Sequence, residues 1–291
     1  MNTDDLVTDM AQDVLEKRAP DLPAETKRLS CGIVARRLDL TSETQAKRLG
    51  RERGIYLTFD CTEGTFASGG GAGVLSRHIA RAVVDMAGVM GRRSVVLAAG
   101  LGNAGVTADS LGAATTELLD VSPVSEAERK RQKVRLCAVN AGVEGRTGIR
   151  SADVVAGVCE RLRPSCVIVI DSLATSSPER LGTSFQLTTA GIAPGSGVER
   201  DRPRIDRAFL GVPVVAVGVP LVLSVRTAFA EFMRDYIEET GSPLNAYALR
   251  EIVEKRKLGG LVVAPKEIGV TVSRAASVIA SAINAAFGEN A

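Results

Sequence analysis

The sequence predicts an α/β fold: a three-layer, mostly parallel sheet with helices on both faces. Three observations predict it. Nearly all-apolar runs of strand length recur at Ser94–Ala99, Cys166–Ile170 and Val212–Val217, as expected of parallel strands covered on both faces. Between such runs lie segments whose apolar residues repeat every three to four positions, the period of a helix with one buried face. The two kinds of segment alternate along the chain, which is the pattern of strand–helix–strand units. A chain of 291 residues with 45% hydrophobic content can bury the core of such a domain. Aromatic residues are only 3%, with no Trp, so Val, Leu, Ile and Ala must build that core.

Residues 1–53 are polar and mixed. Asp9–Lys17 suits a short helix, and Glu25–Gly50 carries weak helical signals. Pro20 and Pro23 separate the two. This part reads as an N-terminal arm and as the best candidate for a detachable segment, with the α/β domain spanning 54–291. Ile55–Phe59 reads as the first strand of that domain. A Gly-rich turn at Ser68–Gly73 leads into a helix over Val74–Met90, whose Leu75, Ile79, Ala82, Val83 and Met86 share one face. The strand Ser94–Ala99 follows. Next come a helix near Ser110–Leu119, a polar linker over 120–133 and a strand at Arg135–Val139. Ser151 can cap a helix with Val154, Val155, Val158 and Leu162 on its apolar side. Cys166–Ile170 is the most apolar strand. Ser184–Thr188 suits a short strand at the sheet margin, and Val212–Val217 a central one. Helices are expected at Ser224–Glu239 and Leu244–Lys255, a short strand at Leu261–Ala264, and a closing helix at Val272–Phe287.

Composition narrows the function. A net charge of +2 gives no strong pull towards nucleic acid or anionic lipid, and scarce aromatics disfavour base-stacking modules. Local basic runs at 27–53 and 129–133 read as solvated faces or as a surface for an acidic peptide. Five cysteines, odd in number and without paired spacing, suggest reduced thiols and a cytoplasmic protein. The N-terminus shows no apolar leader. The run Leu210–Val225 is broken by Gly, two Pro and Ser, so no membrane span is expected there.

In a parallel sheet, chemistry gathers beyond the carboxyl ends of the strands. Four segments lie there. Gly100–Asp109 follows a buried strand. Its Gly100, Gly102 and Gly105 match a dinucleotide-turn spacing, but no acid ends the next strand. Asp109 is either a helix cap or a cleft carboxylate. Ile170-Asp171 brings a carboxylate to a strand end after five apolar residues, which needs a partner or a function. The loops Asn140–Gly148 and Thr188–Gly197, with Gly145 and Gly195, can wall a groove with backbone donors. His78 is the only histidine and reads as a surface or capping residue. No Cys or His pairs stand at zinc-ligand spacing. A hard-cation site from Asp109, Asp171 and Glu144 stays open.

Several blocks, in order, resemble the bacterial germination protease family, enzymes that degrade small acid-soluble spore proteins. They are Thr8-Asp9-Met10-Ala11, Tyr56–Asp60, Gly100-Leu101-Gly102-Asn103 with Val106, Thr107 and Asp109, then Thr147-Gly148-Ile149, Ile170–Ala174, Thr189–Val198, Gly211–Val214 and Ala264–Ile268. The chain departs from the family at Ala104-Gly105, at Ala108, where the family has Pro, and at Ser224–Thr227. The resemblance implies an atypical aspartic endopeptidase without cofactor or metal, whose sheet is similar to that of the hydrogenase-maturation peptidases. It implies catalytic roles for Asp109 and Asp171; beside them, the strand-end loops are expected to supply an oxyanion or substrate groove from Gly102, Asn103, Thr107, Gly145 and Gly195. It further implies a zymogen with a processing region at Thr8, Asp9, Met10 and Ala11, a homotetramer, spore-protein substrates, and the cytoplasm of the spore core as location. Two alternatives remain at this stage: a diverged, non-catalytic peptide-binding protein, and a metal-assisted hydrolase on the same fold.

Overall fold

The computed structural model describes residues 8–67, 70–88, 90–91, 93–122, 134–194, 203–241 and 261–288. The helix expected at Leu244–Lys255, the basic run at 129–133 and Gly195 lie outside these residues.

The apolar runs do form parallel strands. β4 (Ser94–Leu101), β5 (Val134–Gly142), β6 (Cys166–Thr175) and β8 (Val214–Ser224) pair side by side in the order β8-β6-β4-β5. On the other side of β8 the sheet continues antiparallel through β7 (Ser184–Thr188), β3 (Gly54–Asp60), β2 (Val34–Leu40) and β1 (Glu25–Arg28). A short β9 (Val262–Val263) pairs with the end of β8.

Three segments differ from expectation. Glu25–Gly50 is not mainly helical: β1 and β2 belong to the same sheet as β3. The misleading signal is composition, since Glu, Lys, Arg, Ala and Leu favour helices, and β1 is exposed along its whole length. The informative signal is the alternation Leu38-Asp39-Leu40, with both leucines buried. Only α2 (Glu43–Leu49) is helical there, held by a capping box between Ser42 and Gln45 and closed by left-handed Gly50. Next, β7 is not marginal: it is buried along its length between β3 and β8. Finally, β8 does not stop before Pro220. The pairing of β6 with β8 skips Leu221, a bulge that admits the proline within the strand.

Side-chain alternation on the strands separates two cores. On one face Val96, Ala98, Ile168, Ile170, Val215 and Val217 pack under α3 (Gly71–Ala87), α4 (Leu111–Thr116) and α7 (Ile268–Phe287). On the other, Leu97, Ala99, Val167 and Val169 pack under α5 (Ser151–Leu162), and α1 (Ala11–Arg18) with α2 covers Leu38, Leu40 and Tyr56. The outer helix α6 (Val225–Thr240) follows β8. By length and composition α7 is apolar enough to cross a membrane, yet it is a core helix with Ala276, Ile279 and Ile283 fully buried.

From Thr8 onward the N-terminal stretch is built into this fold. Asp13, with no exposed surface, accepts hydrogen bonds from Thr8 Oγ1 at 2.7 Å, Thr175 Oγ1 at 2.8 Å, Ser176 N at 2.7 Å and Arg180 Nη1 at 2.6 Å. Arg180 also reaches Glu16 at 2.6 Å and Asp60 at 3.4 Å. Burial raises the Asp13 carboxyl, but its hydrogen bonds and Arg180 outweigh that and hold it below its ordinary value. None of the five cysteines forms a disulfide. Burial pushes the Cys61 and Cys166 thiols up to about 12, so they are inert core groups.

Candidate active site

Where β4 ends, β6 goes on. The last paired residues of the two strands are Gly100 and Ile170, while β6 continues along β8 with Asp171 opposite Gly218. Asp171 is thus the first residue of β6 without a β4 neighbour. Its side chain has the parity of Val169 and faces the α5 side of the sheet. It is only 8% exposed. Its Oδ1 accepts from Ser172 N at 2.9 Å; Oδ2 receives no hydrogen bond among the described residues.

Asp109 arrives from β4 by a tight return loop. Gly102 adopts φ +92°, and a Cβ there would stand 2.1 Å from the Asp109 carbonyl oxygen and 2.9 Å from its Oδ1. Gly100 and Gly112 let α4 press directly on β4, because a Cβ on Gly100 would meet Gly112 O at 2.5 Å. The carboxylate is then fixed by Asn103 N, which donates to Asp109 Oδ2 at 2.8 Å. Asp109 is not a helix cap. It closes a 3₁₀ turn, Thr107–Asp109, before α4 begins.

Both carboxylates line one cavity of about 110 Å³, together with Gly102, Glu144, Ser151 and Ala152. Burial pushes the Asp171 carboxyl well above its ordinary value of 3.8, and the Asp109 and Asp9 charges push it further. Burial also raises Asp109, opposed by the Asn103 amide that stabilises its ionised form. Two acids with unequal environments in one cavity suit a proton held on the more buried one, Asp171, and an ionised Asp109. A second cavity of about 130 Å³ lies further along the same face, lined by Asp9, Arg51, Tyr56, Leu173, Arg204 and Gly218. It lacks both dyad carboxylates, and it meets the first along Ile192-Ala193-Pro194.

Other residues singled out from the sequence fall elsewhere. Asn103 does not line the dyad cavity: its amide serves Asp109, and its Oδ1 accepts from Gly105 N at 3.0 Å and Arg146 Nη1 at 3.2 Å. Thr107 and Gly145 are exposed and do not line it. His78 packs against Phe59 on the opposite face of the sheet, with ring centroids 6.3 Å apart. Thr8–Ala11 runs close by. Asp9 N donates to Ala174 O and Ala174 N to Asp9 Oδ2, both at 2.8 Å, while Met10 and Ala11 are buried. Ser151 is not the cap of α5 but its first residue, donating through Oγ to Gly142 O at 2.7 Å. Among the described residues no three His, Cys, Asp or Glu side chains converge closely enough to hold a metal ion.

The model of the germination protease family matches residues 6–243, a span that includes both aspartates and the whole cavity. The chain belongs to the germination protease family. Its relatives include the germination protease of Clostridium perfringens, 30% identical over 289 residues, covering 91% of this chain and 88% of that one. The germination protease of Caldanaerobacter subterraneus is 32% identical over 288 residues, covering 88% and 85%. That of Bacillus licheniformis is 30% identical over 319 residues, covering 89% and 84%. Among solved structures, the [NiFe] hydrogenase maturation protease HycI from Thermococcus kodakarensis aligns with 67% of this chain and 94% of its own, at 17% identity and a TM-score of 0.36. As a germination protease the chain is a spore-germination peptidase acting on protein substrates.

Proposed function

We propose that this peptidase hydrolyses small acid-soluble spore proteins by carboxylate acid/base catalysis, with Asp109 as base and Asp171 as acid. The observation that carries the reading is their meeting in one cavity, at the edge where β4 releases β6, with Asp171 the more buried. Asp109 takes a proton from water as its oxygen adds to the scissile carbonyl. Asp171 gives its proton to the amide. The C–N bond then breaks, the amine leaves with a proton, and the acid that holds the surplus proton returns it to its partner. General acid/base groups of this kind contribute about 10²–10⁴-fold each. Asp109→Asn and Asp171→Asn, assayed on a purified small acid-soluble spore protein, are therefore expected to lose at least ~10² in kcat. Near-normal turnover in either would overturn the assignment.

Processing at or just beyond Asp9 belongs to the same reading. The Asp9–Ala174 pairing lays the N-terminal segment beside β6 three residues past Asp171, in the manner of a bound strand. Intact mass before and after activation tests it, and an active sample with an unshortened N-terminus contradicts it. A homotetramer in the cytoplasm of the spore core completes the proposal. The exposed apolar side chains Phe232, Tyr236 and Val262 on α6 and β9 support an assembled state. A monomeric mass by light scattering, or recovery outside the spore core on fractionation, argues against it.

A further inference from the structure

The dyad needs a donor for the oxygen that becomes negative when water adds, and the nearest loop amide is not free for that work. Asn103 N is committed to Asp109. The other wall of the cavity is the start of α5. There the amides of Asp153 and Val154 both donate to Arg150 O, at 2.9 and 3.1 Å. The amides of Ser151 and Ala152 have no acceptor among the described residues. No side chain caps this end: the residue at the cap position, Arg150, carries a guanidinium that can only donate, and it donates to Asp153 at 2.7 and 3.1 Å. Helix ends normally satisfy their first amides by capping or by water. Here Ser151 and Ala152 are 8% and 3% exposed, and both line the dyad cavity. A second observation points the same way. Asp171, more than nine-tenths buried, lines the same cavity, and among the described residues its Oδ2 has no donor. Among the described residues, the cavity lining thus combines two amides without an acceptor and an acid oxygen without a donor.

We propose that the Ser151 and Ala152 amides form the oxyanion hole, receiving the scissile carbonyl as it becomes tetrahedral. Two preorganised amides at a helix N-terminus favour negative charge through hydrogen bonding and the helix dipole together. This rests on the acid/base reading above, and it replaces Asn103 as the donor.

The test separates the amide from the hydroxyl. Ser151→Pro deletes one amide at the first helical position, where proline is tolerated. Arg150 already holds the extended backbone, φ −63° and ψ 137°, that a following proline requires. Ser151→Ala keeps the amide and loses only the bond to Gly142 O. The expectation is that kcat of Ser151→Pro falls about 10²–10³ below that of Ser151→Ala at unchanged KM. Equal kcat in the two variants overturns the proposal. Should Ser151→Pro fail to fold, ¹⁵N-labelled wild-type protein with a phosphinate analogue of the cleaved peptide gives the answer. Downfield shifts of both amide protons are expected, and their absence is the contrary result. Asp171→Asn is assayed alongside. If it keeps turnover, the acid/base reading fails. If it is inactive while Ser151→Pro matches Ser151→Ala, only the oxyanion assignment fails.

Discussion

Replacing Gly102 by alanine probes how the return loop sets the position of Asp109. The residue sits at φ +92°, and the added methyl would approach the Asp109 carbonyl oxygen to 2.1 Å. Ordinary contact begins near 3.4 Å, so the loop must give way by more than 1 Å. The obstacle is backbone, not the flexible end of a side chain. Two costs follow. A non-glycine residue held at positive φ costs about 1–3 kcal/mol, which lowers the melting temperature by a few degrees in a protein of this size. A displacement of ~1 Å in a catalytic group can cost ~10²-fold in rate. Gly102→Ala is therefore expected to lose roughly two orders of magnitude in kcat while remaining folded, as read by peptide cleavage and by thermal melting. Gly145→Ala is the control, because a Cβ there meets nothing within 4 Å, and it should behave as wild type. Wild-type turnover in Gly102→Ala would refute the claim that this close approach positions the carboxylate.

Two further outcomes follow from the buried charges. Arg180→Ala strands Asp13, which has no exposed surface, and should destabilise by about 3–5 kcal/mol in urea titration at pH 7; Arg37→Ala breaks only the exposed pair with Asp39 and should cost under about 1 kcal/mol. Asp171→Asn should have the opposite effect on stability. A carboxyl raised above its unfolded value destabilises the fold once the pH climbs past that ordinary value. The variant should thus melt above wild type at pH 7, with the gap closing below the ordinary value of 3.8.

The parallel half of the sheet was legible because burial on both faces leaves continuous apolar runs, as in Cys166–Ile170. The antiparallel half was harder to read. β1 is exposed throughout, and its position depends on pairing with β2, not on any apolar pattern. Asp171 stood out locally as a charge ending an apolar run. Its meeting with Asp109 was inferred from the shared sheet edge and from the resemblance, because no local pattern connects residues so far apart. The Asp13–Arg180 pair spans 167 positions with no signal at either end. Asn103 is expected in the groove, whereas its contribution is a backbone amide to Asp109, which every residue but proline carries. The α5 start was visible only as Ser151 before an apolar period, which suggested a cap and not a donor pair.

The most direct test is the proton itself. With ¹³C-labelled aspartate, the carboxyl carbon of Asp171 can be followed by NMR across pH in wild type and in Asp109→Asn. It should titrate well above 3.8 in wild type and move down, though not fully back, when the Asp109 charge is removed, since burial is the larger cause. A midpoint in the ordinary aspartate range, unmoved by Asp109→Asn, would show that the two carboxyls neither share a site nor a proton.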